Sequence, residues 1–495
     1  VNRLPPILFA VALAAVAAVL AARLPGPFNR HVDYNGAVWS QAAKQFLRDG
    51  VGATAGVPAP FYFGPPPVPR EALYTHHPPL LPLVVTGAFA ALGEREWVAR
   101  LVPVLGALAG LVLLWALVRA MAGGAAGAMA GVVAAGMPMQ IHFGSMVNFE
   151  PLAGALLVGM LLCAWQHEAT GRPIYRTCAA GLLAVALGLT WFAHLYAAVL
   201  AVWCWGRGRR REGWMIFGLA IGSVLLFLAQ IGLASPGAWR DLAETFHWRT
   251  GAGQEAFAWG RWGAKMGEHL GAFLPWPYWV LAAAGAWLAW RERGDRRVRW
   301  LGLAALGLFV TNLVYVVAFR NASAIHGYAG YYFIFPLAAA GGLALGRWFC
   351  GGTVARAGAV AVAVALGFAG HRSAAREDVR LPLLGDAGEP GALIPELGAA
   401  IRERFAPGTV VLLNFPAEYS PHLPYYAGRQ MVNGLVDAAH WLPVLADPAR
   451  AAGGVIAESA GGAERLLAEL PPGRRETFEV RGRRFVAWHP GPAAR

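Results

Sequence analysis

The chain has 495 residues, 57% of them hydrophobic and only 14% charged, where soluble domains carry roughly 25% charged residues. A water-soluble fold so poor in charge could not cover itself with polar surface, so most of this chain is not a soluble globule. The net charge is +13, but the arginines fall in short clusters between apolar runs, Arg207 with Arg209, Arg210 and Arg211, then Arg291, Arg293, Arg296, Arg297 and Arg299; that is a membrane protein's positive-inside pattern, not a nucleic-acid binder's basic face.

The first apolar run, Pro5 to Leu24, is long enough to span a bilayer core. A cleaved signal peptide usually has a shorter apolar stretch, so a retained first helix is expected. Residues 25 to about 77 form a long Pro- and Gly-rich external loop, and loops longer than about 15 residues are usually functional. Within it, Val38, Trp39, Ala42, Ala43 and Phe46 share one face of a predicted helix over 34–48. Further spans are predicted at 97–119, 123–141, 149–166, 213–233, 271–290, 300–319, 331–349 and 354–370. Two stretches are ambiguous: 78–93 is short for a span, and 178–206 is long for one helix and short for two. Either 78–93 lies at the outer interface and 178–206 is a tight pair, or 78–93 crosses and 178–206 is one span. Both versions give eleven crossings and an external C-terminus. The loop 234–270 holds Trp239, Trp248, Trp259 and Trp262, a density suited to a helix lying in the interface.

Residues 371–495 read as a soluble α/β domain, with strands at 409–414, 454–457 and 484–488 and helices at 392–405 and 463–470. No dinucleotide fingerprint, P-loop or nucleophile elbow occurs in it. The four cysteines, Cys163, Cys178, Cys204 and Cys350, all precede it and form no zinc-type cluster, so the tail folds without disulfides. The predicted architecture is an all-α polytopic membrane bundle of about eleven transmembrane helices over 1–370, followed by a small α/β domain over 371–495.

Ionisable groups near a membrane face are costly unless used or solvated. Asp33 stands where a helix N-cap would stand, and equally where a general base or metal ligand would. Glu150, in Phe143-Gly-Ser-Met-Val-Asn-Phe-Glu-Pro151, reads as a first-turn carboxylate beside a helix-starting proline or as a second acid sharing a face with Asp33. In Tyr74-Thr-His-His-Pro-Pro-Leu80, His76 and His77 are hydrogen-bond donors suited to phosphate, or solvated members of an interfacial turn. In Arg320-Asn-Ala-Ser-Ala-Ile-His-Gly-Tyr328, Arg320 and His326 suit an anionic headgroup, and Arg320 also suits a lipid-facing interface. His194 and Arg249 are weaker candidates that buried structural polar roles explain as well.

In their order, these features resemble the GT-C glycosyltransferases, and more closely the bacterial family of protein O-mannosyltransferases and lipid A aminoarabinose transferases (glycosyltransferase family 39-like). The likeness runs through Asp33-Tyr-Asn-Gly-Ala-Val-Trp39, His76-His-Pro-Pro-Leu80, Gly93-Glu-Arg-Glu-Trp-Val-Ala-Arg-Leu-Val-Pro103, Glu150 and His326-Gly-Tyr-Ala-Gly-Tyr-Tyr-Phe-Ile-Phe-Pro336. It covers most of residues 1–350, and Tyr425-Tyr-Ala-Gly-Arg429 is similar to extracytoplasmic domains of some relatives. Two departures stand out: Tyr34 where many relatives have a second acid, and His77 where relatives have lysine before the proline pair.

The resemblance implies a multi-pass enzyme of the bacterial inner membrane with an extracytoplasmic C-terminal domain. It implies a polyprenyl-phosphate sugar donor, a lipid, glycan or protein acceptor, membrane lipids as surroundings, no nucleic acid, and inverting transfer. Asp33 and Glu150 would be the catalytic acids. His76, His77, Arg249, Arg320, His326 and Tyr328 would bind the donor phosphate. A divalent cation is left open, with its ligands unknown. The second acid is external in the family, which places 78–93 at the outer interface. A transporter or lipid-linked sugar flippase is the alternative class, but it would show internal repeats and midplane polar groups that this sequence lacks. A scaffold would leave Asp33, the His-His-Pro-Pro run and Glu150 without purpose.

Overall fold

The computed structural model describes residues 3–252, 257–377, 393–415, 421–447 and 451–491. The chain divides into two compact units, Val1–Leu24 with Thr75–Asp378, and Pro25–Tyr74 with Val379–Arg495. The first long loop thus groups with the tail, and the division is discontinuous in sequence where a contiguous boundary near 370 was expected. The reason is apolar burial: Val38, Trp39, Ala42, Ala43 and Phe46 of the loop helix Tyr34–Asp49 are all buried, and the loop packs its aromatics on the tail.

The first unit is the bundle. Among the described residues seven helices are long and apolar enough to cross a membrane: Leu4–Ala22, Glu96–Ala122, Phe149–Thr170, Arg210–Ala234, Arg296–Ala318, Gly327–Phe349 and Thr353–Arg376. Trp259–Phe273 and Trp276–Arg291 make an eighth if taken as one span broken by an 85° bend. Shorter apolar helices are Leu80–Leu92, Gly124–Gly136, Pro173–Leu187 and Trp191–Gly206. Counting the last three as short spans gives the predicted eleven.

The ambiguous 178–206 is a tight helix pair, its second member capped by the Thr190 side chain, which accepts from the Phe192 amide. Leu80–Leu92 has 13 residues, about 20 Å at 1.5 Å per residue, well short of a hydrocarbon core of about 30 Å. The predicted 123–141 span breaks at Met137, because Pro138 starts a new short helix, Pro138–Phe143.

Lipid tails are as apolar as leucine, so membrane helices associate through close packing of small residues. A Cβ placed on Gly285 would lie 1.8 Å from the Ala340 carbonyl oxygen, and one on Gly370 would lie 1.7 Å from that of Gly136. These contacts bring Trp276–Arg291 against Gly327–Phe349, and Thr353–Arg376 against Gly124–Gly136, at backbone distance.

The two ends of the bundle differ. At one end Glu168 accepts from Arg209 (3.1 Å), Arg296 (3.0 Å) and the Trp300 indole (3.2 Å), and Arg347 pairs with Glu292 at 2.7 Å. These pairs tie helix ends together beside the predicted arginine clusters. At the other end lie the starts of Leu80–Leu92 and Phe149–Thr170, and the turn around Gly188, whose carbonyl accepts from the Leu80 amide at 3.3 Å. The last helix finishes there too, with Ser373 Oγ donating to the Ala272 carbonyl at 3.1 Å.

The second unit contains a five-stranded sheet: β1 (Val410–Leu413), β2 (Gln430–Val432), β3 (Ala452–Ala457), β4 (Gly473–Val480) and β5 (Arg483–Pro490), in the order β2-β1-β3-β5-β4. β1 pairs in parallel with β2 and β3, whereas β5 is antiparallel to β3 and β4. Leu397, Ile401, Val411 and Phe485 are in the core on one face, and Leu412, Trp441, Leu466 and Trp488 on the other. The sequence reading finds β1, β3 and β5. It misses β2, which is three residues long, and β4, whose Arg474, Arg475, Glu476 and Glu479 mask the strand pattern at a sheet edge.

Candidate functional site

In the first unit, the His76-His77 turn is held from two sides. The Trp191 indole donates to the His76 carbonyl at 2.8 Å. Facing the turn is the amphipathic helix Ala238–Thr250, which presents Asp241, Thr245 and Arg249 at intervals of four, hence on one face. Thr75 Oγ1 donates to Asp241 Oδ2. His76 Nε2 lies 3.0 Å from Asp241 Oδ2 and 2.8 Å from Thr245 Oγ1. Arg249 NH1 lies 2.5 Å from His77 Nε2.

A guanidinium has no acceptor, so Arg249 donates and His77 Nε2 is unprotonated. The electrostatics agree. Burial holds the His77 imidazole well below the ordinary value of 6.5, and the charges of Arg249, His76 and His326 push it the same way. Burial also lowers His76, against the opposing pull of Asp241. The His77 ring stacks on Phe149 at 4.7 Å. His326 stacks on Tyr328 at 4.9 Å, and Tyr328 meets Phe143 edge-on at 6.1 Å.

The fold therefore gathers His76, His77, Arg249, His326 and Tyr328 at the end opposite the arginine clusters. Arg320 takes a different place, its guanidinium 4.6 Å from the Phe257 ring and 5.0 Å from that of Trp259. This is a cation–π clamp on the aromatic face of the Trp-rich segment. Around it Trp239, Trp248 and Trp259 are exposed, as an interfacial belt requires. His194 lies 3.2 Å from the Thr190 carbonyl of its own helix and packs on Trp191, a structural role.

Glu150 is buried in the first turn of Phe149–Thr170, at 5% exposure, and among the described residues its Oε2 has no hydrogen-bond partner. The Tyr331 and Tyr332 phenols lie within its electrostatic range. Beside them Tyr331 donates to Gln140 Oε1 at 2.7 Å, and Gln140 donates to the Ala107 carbonyl at 3.2 Å. A buried carboxylate oxygen without a partner is costly to a fold, which makes Glu150 a candidate functional residue. Arg100, fully buried in Glu96–Ala122, donates to the Leu24 carbonyl at 3.0 Å and ties the end of the first helix.

Asp33 belongs to the second unit. It is 3% exposed. Its Oδ2 accepts from the Asn29 amide (3.3 Å), the Arg30 amide (3.2 Å) and Arg30 Nε (3.3 Å). The side chain makes no cap bond to Tyr34–Asp49. The N-cap role expected from residue type is therefore corrected: the carboxylate turns back and closes its own preceding turn. Among the described residues no group of three or more His, Cys, Asp or Glu could hold a metal ion.

Sequence reasoning missed Asp241, Thr245, Gln140 and Tyr331. The four-residue spacing of Asp241, Thr245 and Arg249 was the available signal, obscured because each lies in a loop read mainly for its tryptophans.

No family model and no curated protein sequence matches the chain. Solved structures do match. ArnT from Cupriavidus metallidurans, bound to undecaprenyl phosphate, superposes with a TM-score of 0.67 at 15% identity, covering 98% of this chain and 99% of that one. The archaeal oligosaccharyltransferase AglB from Archaeoglobus fulgidus, in complex with an inhibitory peptide and a dolichol-phosphate, superposes with a TM-score of 0.53 at 12% identity, covering 98% and 74%. The same protein tethered to an acceptor peptide gives 0.57 at 13% identity, again over 98% and 74%. The chain shares the fold of these proteins, the GT-C fold.

Proposed function

We propose that this protein is a membrane glycosyltransferase that moves a sugar, hexosyl or pentosyl, from a polyprenyl-phosphate carrier to an acceptor hydroxyl at the extracytoplasmic face of a bacterial inner membrane. The observation that carries the reading is the pair formed by half-buried Arg249 and buried His77, at the bundle end opposite the arginine clusters that mark a cytoplasmic side. Two solved proteins of this fold hold undecaprenyl phosphate and dolichol-phosphate, which supports a lipid-phosphate donor here.

A phosphate is already a good leaving group, so the site needs no strong general acid. It needs fixed positive charge where negative charge develops. Neutral His77 orients the Arg249 fork toward that charge, with His76, His326 and Tyr328 beside it and Arg320 at the aromatic rim. The acceptor oxygen attacks the anomeric carbon opposite the phosphate, and the bond to the phosphate oxygen breaks. The carrier departs with the electron pair, and the anomeric centre inverts. Asp33 takes the acceptor's proton, and Glu150 orients the acceptor. The acceptor is a lipid, a glycan or a protein.

The test is a release assay. Protein in lipid is given radiolabelled polyprenyl-phosphate sugars, and wild type is compared with Asp33→Asn. Transfer, or slow donor hydrolysis, that disappears in the folded variant is the expected result. No turnover with any donor, together with lipid or solute movement across the vesicle wall, would overturn the reading in favour of transport.

A further inference from the structure

The motif Tyr425-Tyr-Ala-Gly-Arg429 has no part in the reaction above, yet its surroundings lead back to Asp33. The Asp33 carboxylate is held by the amides of Asn29 and Arg30. Those two residues come directly after Phe28. The Phe28 amide donates to the Tyr426 hydroxyl at 2.7 Å, across 398 positions of sequence. The fully buried Phe28 ring meets Tyr425 edge-on at 5.3 Å. The same ring presses on Gly36, where a Cβ would come within 2.5 Å of it. Lys44 Nζ sits 3.8 Å above the Tyr425 ring, and Tyr34, the residue after Asp33, lies edge-on to His422 at 6.3 Å. The residues flanking Asp33 are thus gripped by one short helix of the tail, His422–Ala427.

That helix is itself anchored to the sheet domain. Buried Arg429 donates through Nε to the Phe405 carbonyl at 2.8 Å and through NH2 to the Arg402 carbonyl at 3.0 Å, locking the end of His422–Ala427 to the end of Leu393–Arg404. A Cβ on Gly398 would lie 2.5 Å from Tyr426 Cβ, so these two helices also touch at backbone distance. A rigid path runs from the sheet core through Arg429 and Tyr426 to Phe28, and from Phe28 to the amides that hold Asp33.

We infer that the C-terminal α/β domain is a positioning device for Asp33, with Tyr426 as its positioning residue. The consequence for catalysis rests on the transferase reading above; the mechanical coupling does not. A base must be held to about half an ångström by the residues behind it, and a misplacement of about 1 Å can cost two orders of magnitude in rate. The bonds from Asn29 and Arg30 fix Asp33 within its own turn, and the tail helix fixes that turn through Phe28.

Tyr426→Phe tests this, because it removes only the hydroxyl and keeps the ring. Amide hydrogen exchange is expected to speed up by about tenfold over residues 28–34, since each amide's protection reflects its local opening. Exchange in β1 and the unfolding midpoint stay at wild-type values. In the release assay kcat falls by roughly tenfold or more while KM for the lipid donor stays within about twofold, the signature of a lost transition-state alignment. Gly36→Ala, whose methyl displaces the Phe28 ring, gives the same two changes. Unchanged exchange over 28–34 in both variants overturns the inference, and so does faster exchange with unaltered kcat. Wild-type protein inactive with every donor sinks the transferase reading alone, and the exchange data then decide the coupling by themselves.

Discussion

Replacing Arg249 with methionine keeps an unbranched apolar stem but removes the guanidinium with its charge and its donors. The structure sets the expected loss. Arg249 NH1 lies 2.5 Å from His77 Nε2, and the His77 side chain is buried. Hydrogen bonds involving a charged group contribute about 1.5–3 kcal/mol. If Arg249 also meets the departing phosphate, about 2–3 kcal/mol of transition-state stabilisation is lost. That is roughly 30- to 150-fold in kcat/KM. A pH profile adds a second, independent reading. Burial is the main cause that holds His77 neutral and the Arg249 charge is the next, so removing that charge raises the imidazole toward its ordinary value. In wild type the activity is expected to fall only well below the usual histidine range, where protonated His77 would repel Arg249. In Arg249→Met the acid limb moves to higher pH. Arg249→Lys retains the charge without the planar fork and should restore the position of the acid limb better than the rate. A kcat/KM within threefold of wild type for Arg249→Met, or an acid limb moving to lower pH, would refute the assignment of the pair as the donor-phosphate clamp.

Other perturbations separate function from stability. Glu150→Gln replaces a buried carboxyl that lacks a partner at Oε2 with a neutral isostere, so the unfolding midpoint in detergent should hold or rise while transfer drops at least tenfold; equal losses of stability and activity would count against a functional role. Gly285→Ala puts a methyl where the Ala340 carbonyl stands and should cost about 1–3 kcal/mol through overpacking, read as a lower midpoint with KM unchanged in the surviving protein. Folding should also depend on pH through His77. Well above pH 6.5, the ordinary value, folded and unfolded forms are both neutral there; as the pH falls through it the unfolded chain binds a proton that the folded one refuses, so stability falls as the pH drops toward the lowered folded value. His77→Gln should flatten that slope, and an unaltered slope between about pH 7 and 5 would disprove the linkage.

The bundle was legible in the sequence because the bilayer leaves few choices. A spanning segment must satisfy every backbone group internally and must be about twenty apolar residues long, so the runs at 5–24, 97–119, 213–233 and 300–319 could only be helices. The arginine clusters marked one end for the same kind of reason, since charge bias is read segment by segment. Asp33, Glu150, His76 and His77 were visible as ionisable residues just before predicted helices at a membrane face. Their partners were not. Asp241 and Thr245 meet His76 across more than 160 positions, and no local pattern records which helix faces which turn. The Asp33 carboxylate could cap forward or close backward by residue type alone, and in the fold it closes backward onto Asn29 and Arg30. The loop 25–74 and the tail carry separate, unremarkable apolar faces. Only the tertiary structure could decide that these faces cover each other, because burial is set by the atoms that lie opposite in space, however far apart they stand along the chain.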